Sequence, residues 1–383
     1  MWRASLLLVF LFSLLIHITG FAADQRHLYR LPTGDDVFRQ GNSIGIKFNQ
    51  PRSVLSTSII NGGLRNDLQG VFNNNSTDMV MTVKAYVVRM RQEAESMGFS
   101  PDRVSSMGTG ARMDNVAIKS ASYQGAEVTA IVTAGVEGNA GRVGDPTNYH
   151  NPKAKPNMPR PGTINIMLIM NVDMPPGTLA RALVTCTEAK TAALQELLVG
   201  SRYSNGLATG SGTDQTIVVA NPQAELYLDD TGKHSKLGEL IGLAVKDAVK
   251  EALVKQNRLT AQKQHDVLRR MARFGVTKER IYQDYLNAGY AAVDKETFLQ
   301  QLVAFAQSDS IVTGTSLYVH LLDQYNWGLL TADEVAEAGA GLLATASRQY
   351  NVEPGTIGEH SLNGFVEAWE RVLLACMNRK LSQ

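Results

Sequence analysis

The sequence predicts an α/β fold: a layered sheet core with flanking helices, marked by a faint internal duplication, followed by an all-helical C-terminal extension. Three observations predict it. Short β-rich runs alternate with long helical patterns through the first two thirds of the chain. One run, TINIMLIMNV from Thr163 to Val172, is almost wholly apolar, as a strand covered on both faces must be. Beyond Leu259, glycine and strand patterns give way to one helical pattern after another.

In chain order, Arg3 precedes an apolar run from Leu6 to Ile16 and then Gly20, Phe21, Ala22 and Ala23. This is the charged, apolar, small-residue order of a secretory signal peptide, with cleavage expected after Ala22 or Ala23. Ser13 and His17 interrupt the run, which falls short of the ~20 apolar residues of a spanning helix. Residues 1–23 are therefore read as a signal peptide, 24–258 as the α/β domain and 259–383 as the helical extension. The mature protein is expected to be secreted across the cytoplasmic membrane into the periplasm, with no stable membrane insertion.

The runs SIGIKFNQ and SVLSTSII read as strands separated by Pro51, the second stopping at Asn61, Gly62 and Gly63. Asn74, Asn75, Ser76 and Thr77 read as cap residues for a helix whose face is Met79, Val80, Val83, Tyr86, Val87, Met90, Ala94 and Met97, ending at Gly98. Val116–Tyr123 and Glu127–Ala134 read as a hairpin across the QG turn. Pro175 and Pro176 open a helix with Leu179, Leu183, Cys186, Lys190, Ala193, Leu194 and Leu197 on or near one stripe, closed by Gly200. A third helix runs from about Lys236 to Val254, and the extension contributes QHDVLRRMARFG, KERIYQDYLNAG, KETFLQQLVAFA, ADEVAEAGAGLLATASRQY and SLNGFVEAWERVLLACM.

The duplication rests on Thr109, Gly110 and Asp114 before NVAI, matched by Thr209, Gly210 and Asp214 before QTIVV. Such clusters are also common between helices and strands, so both origins stay open.

Composition narrows the function classes. With 37 basic and 36 acidic side chains, no Lys/Arg cluster and no aromatic platform, nucleic acid is not an expected partner. Two cysteines build no disulfide framework; Cys186, in an apolar helical pattern, reads as a buried thiol, and its pairing with Cys376 is left open. The histidines past the leader, His27, His150, His234, His265, His320 and His360, are scattered, with no H-E-x-x-H or Cys/His cluster, so no metal or other cofactor is expected. With no nucleophile elbow, Walker loop or dinucleotide fingerprint, a hydrolase built on this chain needs a carboxylate or lysine as base, and a water, Ser or Thr as nucleophile.

The Gly/Thr/Asn-rich stretches SIINGGLRND, GTGARMDN, TAGVEGNAGRVGD, GTIN and ATGSGTD mostly adjoin strand ends, where ligands gather in layered α/β folds. Asp114, Asp145 and Asp214 lie among them. Tight turns alone would also account for such residues, but five stretches together favour a site.

The series STSIINGG, VTAGVEGNAGRVGD, GTINIMLIMN, TCTEAKTAALQEL, ATGSGTDQTIVVA and HSKLGELIGLAVKDAVKEAL resembles, in order and spacing, the adenosylcobinamide amidohydrolase family of corrinoid salvage. The likeness runs from roughly Arg52 to Leu253. It implies cleavage of the amide joining aminopropanol to the corrin ring, yielding cobyric acid for cobalamin assembly. The partner implied is a small-molecule corrinoid whose cobalt belongs to the substrate; no oligomeric state follows.

Amide hydrolysis needs stabilisation of an oxyanion and protonation of the leaving amine. Asp214, with Asp114 or Asp145 as alternatives, is the expected activator of water or of Thr209. Lys190 is the expected acid, unless it is a solvated helical lysine. Asn61, Asn139, Asn165, Thr133 and Thr213, with Gly62, Gly63, Gly210 and Gly212, are expected to hold the oxyanion and the substrate's amide fringe. Two other readings stay open: a secreted corrinoid-binding protein without catalysis, and an amidase that activates itself by exposing a new N-terminal Thr or Ser.

Overall fold

A computed structural model describes residues 25–76, 82–146, 162–290 and 293–382. The expected signal peptide, the expected first residues of the first helix (79–81) and His150 lie outside these residues. Two compact units emerge: Met1–Thr133 with Asn165–Cys186 and Gln215–Ala248, and Ala134–Ile164 with Thr187–Asp214 and Val249–Gln383.

The chain passes through β1 (Gln25–Arg30), β2 (Asp36–Gln40), β3 (Ser43–Lys47), β4 (Ser53–Ser56), β5 (Gly63–Arg65), β6 (Gly70–Asn75), α1 (Val83–Ser96), β7 (Val104–Thr109), β8 (Ala117–Tyr123), β9 (Ala126–Ala134) and β10 (Ala140–Gly141). There follow β11 (Ile164–Met170), α2 (Pro176–Glu196), β12 (Gly210–Ser211), β13 (Gln215–Ala220) and α3 (Lys236–Asn257).

The first unit is built on two sheets, ordered β1-β2-β3-β6-β7 and β5-β4-β13-β11-β9-β8. Ile44, Ile46, Val71 and Met107 of one sheet share a core with Val54, Ile131, Met167, Ile169, Ile217 and Val219 of the other, so the sheets pack face to face. Burial of every residue of β11 agrees with its apolar run. On the far face of the first sheet, Met90, Ala94 and Met97, on or just beyond α1, meet Phe38, Phe72 and Phe99.

Each sheet contains one parallel pair that requires a crossover: β6–α1–β7 in one and β11–α2–β13 in the other. These strand–helix–strand units correspond to the two segments compared in the sequence. The Thr-Gly-x-x-x-Asp match is different, because Thr109 ends β7 whereas Thr209 precedes β12. Expected strands and hairpin are present, the hairpin turning through Gln124 and Gly125 at positive φ.

The cap expected at Asn74 and Asn75 is instead the end of β6; the N-cap of α1 is Thr82, whose hydroxyl accepts from Ala85 N. Polar strands of this kind escape a hydropathy pattern. Asn73 and Asn74 are buried through side-chain hydrogen bonds, Asn73 Nδ2 donating to Thr133 Oγ1 (2.8 Å) and Asn74 Nδ2 to Ser43 Oγ (2.9 Å).

In the second unit, α4 (Ala261–Gln264), α5 (Val267–Met271), α6 (Lys278–Asn287), α7 (Lys295–Ala306), α8 (Asp309–Asn326), α9 (Ala332–Tyr350) and α10 (Leu362–Leu381) follow one another. Their shared core includes Tyr285, Phe298, Tyr318, Phe365 and Trp369. Helix α9 opens with a capping box between Thr331 and Glu334. Helix α8 was not expected, because Ile311, Val312, Thr313, Gly314 and Thr315 are weak helix formers. Packing overrides them: the Trp369 indole lies 3.2 Å from where a Gly314 Cβ would sit and donates to Thr315 Oγ1 at 3.1 Å. Cys186 and Cys376 are both buried thiols, not a disulfide. Among the described residues, no helix is long and apolar enough to cross a membrane.

Candidate active site

A two-residue antiparallel ribbon organises the glycine-rich loops of the second unit. Strands β10 and β12 pair Ala140 with Ser211 and Gly141 with Gly210, bringing the GRVGD and TGSGTD segments together. Thr209 is tied in on three sides: its N–H donates to Gly141 O (2.9 Å), its hydroxyl accepts from Val143 N (2.9 Å), and its carbonyl accepts from Thr191 Oγ1 (3.0 Å). This makes Thr209 a clasp between loops. Asp145 Oδ2 accepts from Arg142 N (2.7 Å) and Ser201 Oγ (2.5 Å). Burial pushes the Asp145 carboxyl up, but hydrogen bonds from Ser201, Ser204 and the Arg142 amide outweigh it and hold it below its usual value. Ser201 also lines a cavity of about 490 Å³ with Glu137, Tyr203, Asn257, Arg269 and Arg273. Arg273 is already engaged there by Asp323 (2.6 Å between Nη2 and Oδ2).

Asp214 is the most heavily bonded residue of the cluster. Its Oδ1 accepts from Ile164 N (2.9 Å) and Ser211 Oγ (2.6 Å), and its Oδ2 from Ser211 N (2.9 Å) and Lys190 Nζ (2.6 Å). Four donors fill the roughly four lone-pair sites of a carboxylate, leaving none for a water, so Asp214 holds Lys190 in place and is unsuited to act as the base. The side chains of Lys190 and Asp214 are 12% and 11% exposed, so the pair is largely withdrawn from solvent and Lys190 is not a solvated helical lysine. Of three ammonium donors, Asp214 takes one. A Cβ at 210 would lie 2.4 Å from Asp214 Oδ2 and 2.9 Å from Lys190 Nζ, so any larger residue there must displace the pair.

A third group surrounds the Gly162 carbonyl, which accepts from Asn139 Nδ2 and from Thr213 Oγ1 (3.2 Å). Gly162 has φ +152, and a Cβ there would meet Asn139 Oδ1 at 2.6 Å and Gly135 O at 2.8 Å. Asn139 and Thr163 are 1% and 2% exposed, yet Asn139 Oδ1 and Thr163 Oγ1 have no hydrogen-bond partner among the described residues. Gly212 faces open space.

The remaining expected residues belong to the first unit. Thr133 accepts from Asn73, whose Oδ1 accepts from Asn165 Nδ2 (2.8 Å), while Asn165 Nδ2 also donates to Gly108 O (3.0 Å). Both N–H donors of Asn165 are thus spent, and its Oδ1 is a buried acceptor without a partner among the described residues. Asn61, at φ +47, donates through Nδ2 to Pro101 O (2.8 Å) and Val104 O (2.7 Å), so it pins a corner and has no donor left for an oxyanion. Gly62 and Gly63 turn the chain from β4 into β5.

Asp114 is half exposed and ion-paired with Arg39 and Arg112; hydrogen bonding from Arg39 holds its carboxyl below the usual range. A solvated ion pair of this kind is weak and common on protein surfaces, so Asp114 is a poor candidate for base. Sequence reasoning passed over Thr163, Ser211 and Asn73. A Gly-Thr step directly before the most apolar strand was the available sign for Thr163.

An uncharacterized protein of Methanocaldococcus jannaschii is 34% identical over 254 residues, covering 62% of this chain and 96% of its own length. Among solved structures, a Pyrococcus horikoshii protein aligns with 60% of this chain and 84% of its own at 13% identity (TM-score 0.29). An L-aminopeptidase D-Ala-esterase/amidase of Ochrobactrum anthropi aligns with 59% and 78% at 17% identity (TM-score 0.28). The family model described as adenosylcobinamide amidohydrolase matches residues 28–261, a span that contains every loop of the cluster, and the chain belongs to that family of amide hydrolases.

Proposed function

We propose that this protein hydrolyses the amide joining aminopropanol to the corrin ring of adenosylcobinamide, releasing cobyric acid for cobalamin salvage. The observation that carries the reading is the family match over residues 28–261. The loop cluster suits the chemistry. Lys190 Nζ, fixed by Asp214 and with donors to spare, can stabilise the oxyanion of a tetrahedral intermediate and protonate the departing aminopropanol nitrogen. Asp214, saturated with donors, keeps that ammonium oriented.

The test is incubation of the purified chain with adenosylcobinamide, with products followed by mass spectrometry. Cobyric acid and aminopropanol are expected in equal amounts, with a loss of about 10²–10⁴-fold in kcat for Lys190→Met. Stoichiometric corrinoid binding without product would replace the amidase with the carrier reading. A panel of corrinoids defines whether the adenosyl ligand is needed and whether complete cobalamins are accepted. We also propose export through residues 1–23; the mature protein should then be recovered from the periplasmic fraction beginning at Ala23 or Asp24, and a cytoplasmic chain retaining Met1 would refute this.

A further inference from the structure

The peptide bond between Gly162 and Thr163 is held as a substrate is held in an active site. Its carbonyl oxygen accepts from Asn139 Nδ2 and Thr213 Oγ1 (3.2 Å), two side-chain donors converging on the atom that would become an oxyanion. The flanking backbone is clamped, with Thr163 O accepting from Gly135 N (2.9 Å) and Ile164 N donating to Asp214 Oδ1 (2.9 Å). Gly162 lies at a φ that disfavours any side chain and leaves no room for one. Next to this polarised carbonyl, the Thr163 hydroxyl is buried at 2% exposure and has no hydrogen-bond partner among the described residues. A buried hydroxyl without a partner calls for an explanation in strain, a catalytic role or an ordered water, and beside a polarised carbonyl a catalytic role is the one the surrounding geometry supports. Thr209, by contrast, has its hydroxyl engaged by Val143 N.

We propose that the chain cleaves its own backbone between Gly162 and Thr163, and that Thr163, then N-terminal, is the nucleophile of the amidase. Thr163 Oγ1 attacks the Gly162 carbonyl carbon; a C–O bond forms, the Gly162 C–N bond breaks, and the hydroxyl proton ends on the departing Thr163 nitrogen. The product is an ester with a free amine. Water then adds to the ester carbonyl, leaving a Gly162 carboxylate and regenerating the Thr163 hydroxyl, so one water is consumed per bond cleaved. The new amine lies beside its own hydroxyl and serves as its base. One residue on, Asp214 still anchors the Ile164 amide together with Lys190. The nucleophile assignment rests on the amidase reading; the cleavage does not, since it needs no substrate.

The experiment is intact mass and N-terminal sequencing of the full-length chain during incubation at neutral pH without corrinoid. Two polypeptides are expected, one beginning at Thr163. Thr163→Ala should remain a single chain, Thr163→Ser should still cleave at the same bond, and Asn139→Ala should slow cleavage by about 10²-fold. Hydroxylamine should accelerate cleavage and leave a hydroxamate on Gly162 by trapping the ester. The proposal is overturned if the wild-type chain stays whole while hydrolysing its substrate, if the break falls elsewhere, or if folded Thr163→Ala cleaves at the wild-type rate. Cleavage at Thr163 without cobinamide turnover would instead remove the proposed substrate and leave self-processing standing.

Discussion

Replacing Asp214 with Asn tests whether the Lys190–Asp214 pair organises the loops. The carboxylate accepts four hydrogen bonds, two on each oxygen. Asparagine offers one acceptor oxygen and one N–H₂, and although the Ser211 hydroxyl can turn to accept from that N–H₂, the N–H donors of Ile164, Lys190 and Ser211 cannot all keep an acceptor. If the oxygen stays toward Lys190 Nζ and Ser211 N, the Ile164 amide loses its partner; if it turns away, the ammonium does. In both cases Lys190, only 12% exposed, keeps its charge without a counter-charge. Breaking a buried pair from one side costs about 3–5 kcal/mol. The loss should be read by urea unfolding followed by circular dichroism at pH 7, and should lower Tm by roughly 10 °C. Lys190→Met added to Asp214→Asn should recover about 1–3 kcal/mol relative to the sum of the single variants. A loss below about 1 kcal/mol for Asp214→Asn, or strictly additive losses, would refute a coupled buried pair.

Two further predictions concern packing and pH. Gly210→Ala drives a Cβ to within 2.4 Å of Asp214 Oδ2 and should destabilise the chain by about 1–3 kcal/mol, whereas Gly212→Ala, which meets open space, should change stability by less than about 0.5 kcal/mol; equal effects would remove the steric reason for glycine at 210. Burial pushes the Glu370 carboxyl up from 4.5 to about 7, against the pull of Arg280. The folded state therefore holds a proton that the unfolded state releases, and the associated stability, about 3 kcal/mol at most, is fully present below pH 4.5 and lost as pH rises through about 7. Glu370→Gln should flatten this fall in urea midpoint between pH 5 and pH 8, and an unchanged slope would show that another group causes it.

How much could be read in advance depended on whether a residue's environment is local. The run from Thr163 to Val172 announced a buried strand, and the stripes from Leu179 and Leu237 announced helices, because apolar periodicity is written along the chain. Strands β6 and β7 were hidden because Asn73, Asn74 and Ser105 are buried by hydrogen bonding, which no hydropathy pattern registers. Likewise α8 forms against its own propensities because Trp369, more than fifty residues on, packs across Gly314.

The sequence by itself determined the α/β class, the helical extension, the family and the five loops from which a site could be drawn. Only the tertiary structure decided which loop residues have chemistry left to offer. Asp114 and Asp214 occupy the same motif, yet one is a solvated ion pair and the other a buried anchor with four donors. Asn61 spends its donors on a corner, whereas the hydroxyl of Thr163, unremarkable as a letter, is left buried and unpaired. The reason is physical: a side chain's reactivity depends on which partners fill its hydrogen-bonding sites and how far water is excluded, and both are set by segments distant in the chain.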